Sequence, residues 1–426
     1  MLSLLCASLL LWAQDPTVHL VQATVPGVRL QSVAVALDGP VDEALCRYRE
    51  LVAASVLPAG STHGIEVVHG ELVVFRAEFA ADDAAPGAAW LTTLLGKSNR
   101  PDADLAELAV GRAALAADDA AWLQPGSVFR TQMLRRLLPE QAPGCVGWLP
   151  DPQQVAARDL GELTAAPLRA RAVAIAWVGG HALPPSVVAT DLAAALGPVA
   201  SGTAPVLGSF APDLPREEAQ HARVAGPFVA LGFRTPVPAP PALALGIEVL
   251  RTRALRTFQA HRGGEDRALA PYVAWSWVAG DPLLRLHRRG PKSVPRPGED
   301  GSAPRWQEDA QHAAGELDAL LGELVQHPPT AREVGSAARL LQAELVLPPW
   351  GAAMDRSLAE APEGLRARAR VMALAALRGW TRSDLDALGA VPPGAVAEAL
   401  EQVLVGTGRW SGVLHPAAGS LSPLVR

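Results

Sequence analysis

The sequence predicts an α+β protein of two similar domains, each a mainly antiparallel sheet flanked by helices. Three observations predict it. Short apolar, β-branched runs alternate with longer stretches of helical periodicity along the chain. A stretch rich in Gly, Pro and Ser over 198–222 interrupts that alternation near mid-chain. The segment after it follows the style of the segment before it, without residue-level repetition. The expected organisation is a leader over 1–13, an N-terminal domain over 14–205, a linker over 206–222 and a C-terminal domain over 223–426.

Each element has its own signal. VRLQSVAVAL (28–37) reads as a strand, and 41–57 as a helix with Leu45, Tyr48, Val52 and Val56 on one face. A strand region over 65–80 is interrupted by Gly70. Helices are expected over 102–121, 127–138 and 151–164, the last opened by Asp151-Pro152, an N-cap and first-turn pair. RAVAIAWVGG (171–180) is a buried strand, and 184–197 a helix closed by Gly197. The second half offers a strand at 227–233, a helix at 241–260, strands within 271–288 and a Pro/Gly-rich charged loop at 290–304. Helices at 305–326, 330–346, 357–378 and 393–404 precede a last strand at 409–414.

The first 13 residues form an apolar run too short to span a bilayer and fit a signal-peptide core, with cleavage after Ala13. The run lacks a basic n-region, so an N-terminal strand docked in the fold, or lipidation at Cys6, are the competing readings. The expected location is outside the cytoplasm, periplasmic or secreted, with no membrane span elsewhere. Cys46 and Cys145 then remain, as one disulfide or as two buried thiols. A net charge of −6 argues against a nucleic-acid partner, and Lys97 and Lys292 are the only lysines, a compositional bias rather than a binding surface.

Four stretches carry a family likeness: GSTHGIEVVHGELVVFRAEF (60–79), the helix, strand, Val-Gly-Gly turn and helix of 149–197, VALGFRTPVPAPPALALGIEVL (229–250), and HPPTAREVGSAARLLQAEL (327–345). In this order they resemble one half of a pitrilysin/insulinase-type zinc peptidase, the family that includes the mitochondrial processing peptidase subunits. The resemblance spans almost the whole chain after the leader. It implies a LuxS/processing-peptidase-like topology, and it places the family's metal helix at 44–51, ALCRYREL.

The family signature is His-x-x-Glu-His on a helix, with a further Glu from another helix. Two histidines at i and i+4 share a helix face and reach one Zn²⁺, and the Glu between them deprotonates the zinc-bound water. By the resemblance the motif falls on Arg47-Tyr48-Arg49-Glu50-Leu51, so the ligand positions hold Arg47 and Leu51 and only the base position, Glu50, keeps its residue. Arginine has no lone pair to donate and leucine has no donor atom. The third ligand position falls at Ala116 or Ala117, with Asp118 and Asp119 out of place and shorter. All three ligands are replaced. Glu50 is then expected to pair with Arg47 at i, i+3 on the outer face.

Other histidines and acids offer no replacement site. His63, Glu66 and His69 are expected on a strand, where the two histidines share a face but lie roughly 20 Å apart and Glu66 points the other way. His181 sits at a strand-to-helix turn, and His312 with Glu316 forms an i, i+4 pair on a solvated helix face. No HExxH, CxxC, Walker loop, GxGxxG or GxSxG occurs. In active family members an Arg and a Tyr of the second domain hold the substrate carbonyl. Tyr272 matches that Tyr, while the Arg position holds Glu265 between Arg262 and Arg267; core packing at the start of a strand is the alternative role for Tyr272. Trp275 and Trp277 share a strand face and either fill the core or line a groove.

The expectation is a non-catalytic subunit with no cofactor of its own, zinc being carried only by a catalytic homologue that pairs with it around a peptide chamber. Self-association is the other form of assembly. Two alternatives stand beside it: a scaffold or peptide-binding protein with no proteolytic partner, and residual metalloendopeptidase activity at an atypical site.

Overall fold

The computed structural model describes residues 17–24, 28–39, 41–69, 72–80, 82–96, 102–123, 125–137, 152–182, 197–198, 208–211, 214–221, 224, 226–237, 239–261, 271–275, 281–290, 304–345, 362–380, 382–406 and 408–416. In chain order the elements are β1 (Thr17–Thr24), β2 (Leu30–Asp38), α1 (Glu43–Ala54), β3 (Thr62–His69), β4 (Leu72–Ala80), α2 (Ala85–Leu95), α3 (Ala103–Leu123) and α4 (Pro125–Leu137). There follow α5 (Pro152–Ala156), α6 (Leu160–Ala165), β5 (Arg169–Ala170), β6 (Ala172–Gly179), β7 (Gly197–Pro198), β8 (Glu217–His221), β9 (Phe228–Arg234) and α7 (Pro241–His261). The remainder is β10 (Tyr272–Ala274), β11 (Leu283–Arg289), α8 (Pro304–Gln326), α9 (Ala331–Leu345), α10 (Pro362–Leu377), α11 (Arg382–Asp386) with a 3₁₀ turn at Ala387–Ala390, α12 (Pro393–Leu404) and β12 (Trp410–Pro416).

Two five-stranded sheets result, in the orders β1-β6-β2-β4-β3 and β8-β12-β9-β11-β10. In each, the first strand runs parallel to the last and every other pair is antiparallel. The two topologies are therefore the same, which is the duplication that the pattern of strands and helices predicts.

The chain forms two compact units that are not linear halves. The first comprises 1–113, 153–206 and 354–377; the second comprises 114–152, 207–353 and 378–426. Helix α4 thus packs on the second sheet, and α10 packs on the first. The stretch expected as a linker over 206–222 contains β8, the edge strand parallel to β12, so it belongs partly to a sheet. Its acidic and polar sequence hides the strand from a hydrophobic pattern.

Four further expectations shift. Strand β1 adds an element that the sequence does not signal, because a half-exposed edge strand lacks a continuous apolar run. The helix expected over 151–164 divides into α5 and α6, since Asp159 caps a new start by accepting from Glu162 N–H. Gly197 lies in β7, paired with Arg169, rather than closing a helix; the helix body over 184–196 is outside the described residues. Most of the loop at 290–304 is outside them too.

In the first unit the sheet buries Val33, Val35, Phe75, Phe79, Ile175 and Trp177 against α1, α2 and α3. Gly87 admits α2 to this face, because a Cβ there would lie 2.3 Å from the Trp177 ring. The opposite face carries Ala34, Ala36, Val74, Ala174 and Ala176, all at 0% exposure. Helix α10 covers it with Leu365, Ala369 and Ala373 and adds bidentate ion pairs from Arg366 to Glu78 and from Arg370 to Glu66. In the second unit α4 plays the same part, setting Phe129, Met133 and Leu137 against Phe228, Leu283 and Trp410. A Cβ on Gly232 would lie 1.9 Å from the Met133 methyl, so this glycine sets the approach of α4 to β9.

The second unit is fastened by Arg253 of α7, which donates to both oxygens of Glu333 at 2.9 Å and to the His327 carbonyl at 2.6 Å. Glu333 also completes a capping box with Thr330 at the start of α9. The Arg253 bonds hold its carboxyl down at about 2, from an ordinary 4.5. A depressed carboxylate stabilises the fold above its unfolded pKa and loses that contribution as pH falls through the folded value. Glu333→Gln should therefore cost about 1–3 kcal/mol at neutral pH in urea unfolding. Its deficit against the parent should close between pH 4.5 and about 2.

Candidate functional site

Helix α1 begins where Asp42 accepts from Leu45 N–H at 3.2 Å, with Glu43 in the first turn favoured by the helix dipole. Leu45 and Tyr48 turn inward as the periodicity predicts, and Val52 packs partly buried beside them. The Tyr48 hydroxyl accepts from Asp102 N–H at 3.3 Å, tying α1 to the start of α3. Cys46 is a buried free thiol whose pKa burial pushes upward; Cys145 lies outside the described residues.

The charged residues of ALCRYREL part company. Arg47 donates to Glu43, one turn back, through Nε at 2.9 Å and Nη2 at 2.6 Å. The expected Arg47–Glu50 pair does not form, because Glu50 faces inward at 3% exposure while Arg47 and Glu43 line the outer edge. The Glu50 carboxylate instead meets Nδ1 of His63 on β3. Leu51, where the resemblance places the second ligand, packs half-buried against the core.

Arg49 is 2% exposed, yet its guanidinium is well used. Nη1 donates to the Gly96 carbonyl and Nη2 to the Ala166 carbonyl, each at 2.7 Å. Gly96 and Ala166 are the C-caps of α2 and α6, so one cation serves two helix ends where backbone carbonyls carry partial negative charge. Burial lowers its pKa below the usual guanidinium range. No local sequence pattern marks this role, because 47 and 117 residues separate Arg49 from the two carbonyls.

The third ligand position offers no donor either: Ala116 is half-buried and Ala117 is 1% exposed on α3. Of Asp118 and Asp119 only the helical backbone is described. An arginine, a leucine and an alanine do not fit a zinc ion, and Glu50, where the resemblance places the base, is engaged by an imidazole. Among the described residues no three His, Cys, Asp or Glu side chains gather as a metal site.

His63 and Glu66 diverge across β3, as strand alternation requires: His63 to α1, Glu66 to Arg370 of α10 at 2.6 and 2.7 Å. His69 lies at the end of β3, paired with Leu72, and its side chain is not described. His181 is half-buried and gives its backbone carbonyl to Trp177 Nε1–H at 2.6 Å. His312 lies 3.6 Å from Glu316, but that carboxylate also accepts from buried Arg288 at 2.5 Å, so the pair is more than a solvated face.

Tyr272 opens β10 with 66% exposure, so it is not the packed aromatic that a strand start allows. Its ring stands 6.2 Å from that of His287, its cross-strand neighbour. Trp275 is core as expected, donating to the Asp281 carbonyl at 2.9 Å. Arg262, Glu265, Arg267 and Trp277 lie outside the described residues. Arg251 of α7 donates to the alternate carbonyls of Val273 and Trp275, occupying groups that an incoming strand would use. The edge strand of the other sheet, β3, is eight residues long and pairs with β4 alone.

No protein-family model matches the sequence, and no curated protein matches it either. Solved structures do match. A peptidase M16 inactive domain from Pseudomonas fluorescens superposes with a TM-score of 0.58 over 96% of this chain and 97% of its own, at 15% identity. The fold is that of the M16 peptidases. A protease from Helicobacter pylori gives a TM-score of 0.64 at 11% identity, covering 93% of this chain and 97% of its own. The periplasmic protease PqqL from Escherichia coli gives 0.58 at 13% identity over 92% of this chain but only 44% of its own, so this chain spans under half of that protease. At such identities the likeness establishes the fold alone. Within it α1 holds Arg47, Glu50 and Leu51 as described.

Arg49→Met, which keeps the stem and removes the guanidinium, should cost about 2–4 kcal/mol in urea unfolding, since two buried carbonyls lose their donor. His63→Ala should also destabilise, by leaving the Glu50 carboxylate buried and alone. A double-mutant cycle of His63→Ala with Glu50→Gln measures that coupling, and additive effects would show that the contact contributes nothing.

Proposed function

We propose that this protein is a non-catalytic M16-type half, exported from the cytoplasm, that pairs with a zinc-bearing homologue and helps to hold extended peptides. The observation that carries the reading is the set Arg47, Leu51 and Ala116 or Ala117 at the three ligand positions of a chain with this fold. Replacement by an arginine engaged with Glu43, a packed leucine and an alanine removes every donor, and His63 occupies the base that remains. The zinc and the activated water of such an assembly would belong to the partner.

What this half contributes is backbone and surface. An eight-residue edge strand such as β3 offers unpaired N–H and C=O groups to an extended peptide, the basis of strand addition. Tyr272 is exposed on the equivalent edge strand of the second sheet, where its phenol could donate to a backbone carbonyl. Export is supported by the apolar leader in the sequence and by the periplasmic location of one structural neighbour. Among the described residues no helix is long and apolar enough to cross a membrane.

The purified chain alone should carry no stoichiometric zinc and cleave no unstructured peptide. Cleavage should appear when an M16 homologue with an intact His-x-x-Glu-His motif is co-expressed and co-purifies. One equivalent of zinc by elemental analysis, or zinc-dependent hydrolysis by the isolated chain, would overturn the non-catalytic reading. A failure of every such homologue to associate would overturn the pairing.

A further inference from the structure

Beneath Tyr272 the second unit keeps two buried polar groups without a protein partner. Arg285 and His287 lie two apart on β11, so their side chains leave the same face, opposite Ala274 and Tyr272 of β10. Nδ1 of His287 has no hydrogen-bond partner and the residue is 3% exposed; Nε of Arg285 is likewise buried and unbonded. An orphaned donor in the interior costs about 1–3 kcal/mol, and two together ask for something to satisfy them.

What covers them is the first turn of α4. A Cβ built on Gly126 would lie 3.7 Å from Cε1 of His287, the carbon that joins the two ring nitrogens. Arg285 Nη1 donates to the Gly126 carbonyl at 3.4 Å, so the same turn meets both residues. The first backbone N–H groups of a helix have no partner inside it and carry the positive end of its dipole. Local charge points the same way. Arg130 and Arg285 stand 3.9 and 3.4 Å from Asp281, two cations against one carboxylate.

We propose that the place where the first turn of α4 meets β10 and β11 binds a carboxylate, held by Arg285 Nε–H, His287 Nδ1 and the N–H groups of α4 from Gly126 onward, Pro125 having none, with exposed Tyr272 beside it. A single negative charge balances the one excess cation, whereas a doubly charged phosphate would leave charge buried and uncompensated. The imidazole is held neutral by burial and by the neighbouring Arg285, its pKa drawn down to about 3. In the Nδ1–H tautomer it donates to an anion as a neutral group. The carboxylate has two possible carriers, the C-terminus of a bound peptide or a small free acid. Only the first rests on the peptide-holding role proposed above.

The test is isothermal titration of the full chain with three probes: an unstructured hexapeptide with a free C-terminal carboxylate, the same peptide as its C-terminal amide, and sodium benzoate. The expected result is at least tenfold tighter binding of the free-acid peptide than of the amide, with benzoate competing. Arg285→Gln and His287→Phe should each abolish that preference. His287→Phe keeps the stacking on Phe228 and removes an unsatisfied nitrogen, so it should melt no lower than the parent. Tyr272→Phe, at an exposed position, should fold normally and weaken the preference two- to fivefold. Equal binding of acid and amide, a preference that survives His287→Phe, or no binding of any probe would overturn the site. Equal peptide binding would still leave the peptide-holding role standing. Binding of benzoate with neither peptide would support the site and sink that role.

Discussion

Each sheet has two apolar faces to bury, and its own helices cover only one. That constraint shapes the molecule. The first sheet sets Val35, Phe75 and Trp177 against α1 and α2, and its other face, with Ala34, Val74 and Ala176, would lie bare without α10. The second sheet depends in the same way on α4. The chain solves one problem twice by lending each unit a helix from a distant stretch of sequence. Small residues make the loans possible, since Ala34, Ala36, Ala174 and Gly232 let a helix lie close to the strands. Roughly 25 cal/mol of stabilisation per Å² of apolar surface makes such coverage worth more than any ion pair at the rim.

At α1 the same economy of burial explains how the helix is held. A zinc ion would fix the orientation of its helix through bonds to side chains. Here Arg49 takes over the fixing of neighbours, bonding the C-caps of α2 and α6, and Tyr48 holds the start of α3. Glu50 would be costly as a buried carboxylate without a counterpart. His63 supplies one from the adjoining strand, so α1 is joined to β3 by an acid–base contact. Arg47, Tyr48, Arg49 and Glu50 each bond a neighbouring group, although the buried Nε of Arg49 has no hydrogen-bond partner.

Much of this was legible in the sequence and some was not, for physical reasons. Strands β2, β4, β6 and β9 are central, so their apolar runs are continuous and easily read. The edges β1 and β8 are half-wet and lack that signal; EEAQH reads as loop until β12 pairs with it. The inward face of α1 follows from helical spacing, whereas the reading of Arg47 and Leu51 as replaced zinc ligands rests on the family resemblance. The partners of Glu50 and Arg49 do not, because 13, 47 and 117 residues separate them from the groups they meet. No local pattern encodes contacts of that range. His287 was invisible for the same reason: its isolation arises from the packing of α4, a helix placed by a different part of the chain.

The loan of α10 also has a consequence in time. During synthesis β1, β2, β3, β4 and β6 are all made early, whereas α10 follows every strand of the second sheet except β12. Until it arrives, one face of the first sheet is an uncovered slab of alanine and valine, the sort of surface that chaperones hold and that aggregates when they do not. Folding of the first unit therefore cannot finish before most of the second has been translated. A chain truncated ahead of α10 would carry all five strands of that sheet and still lack the cover for one of its faces.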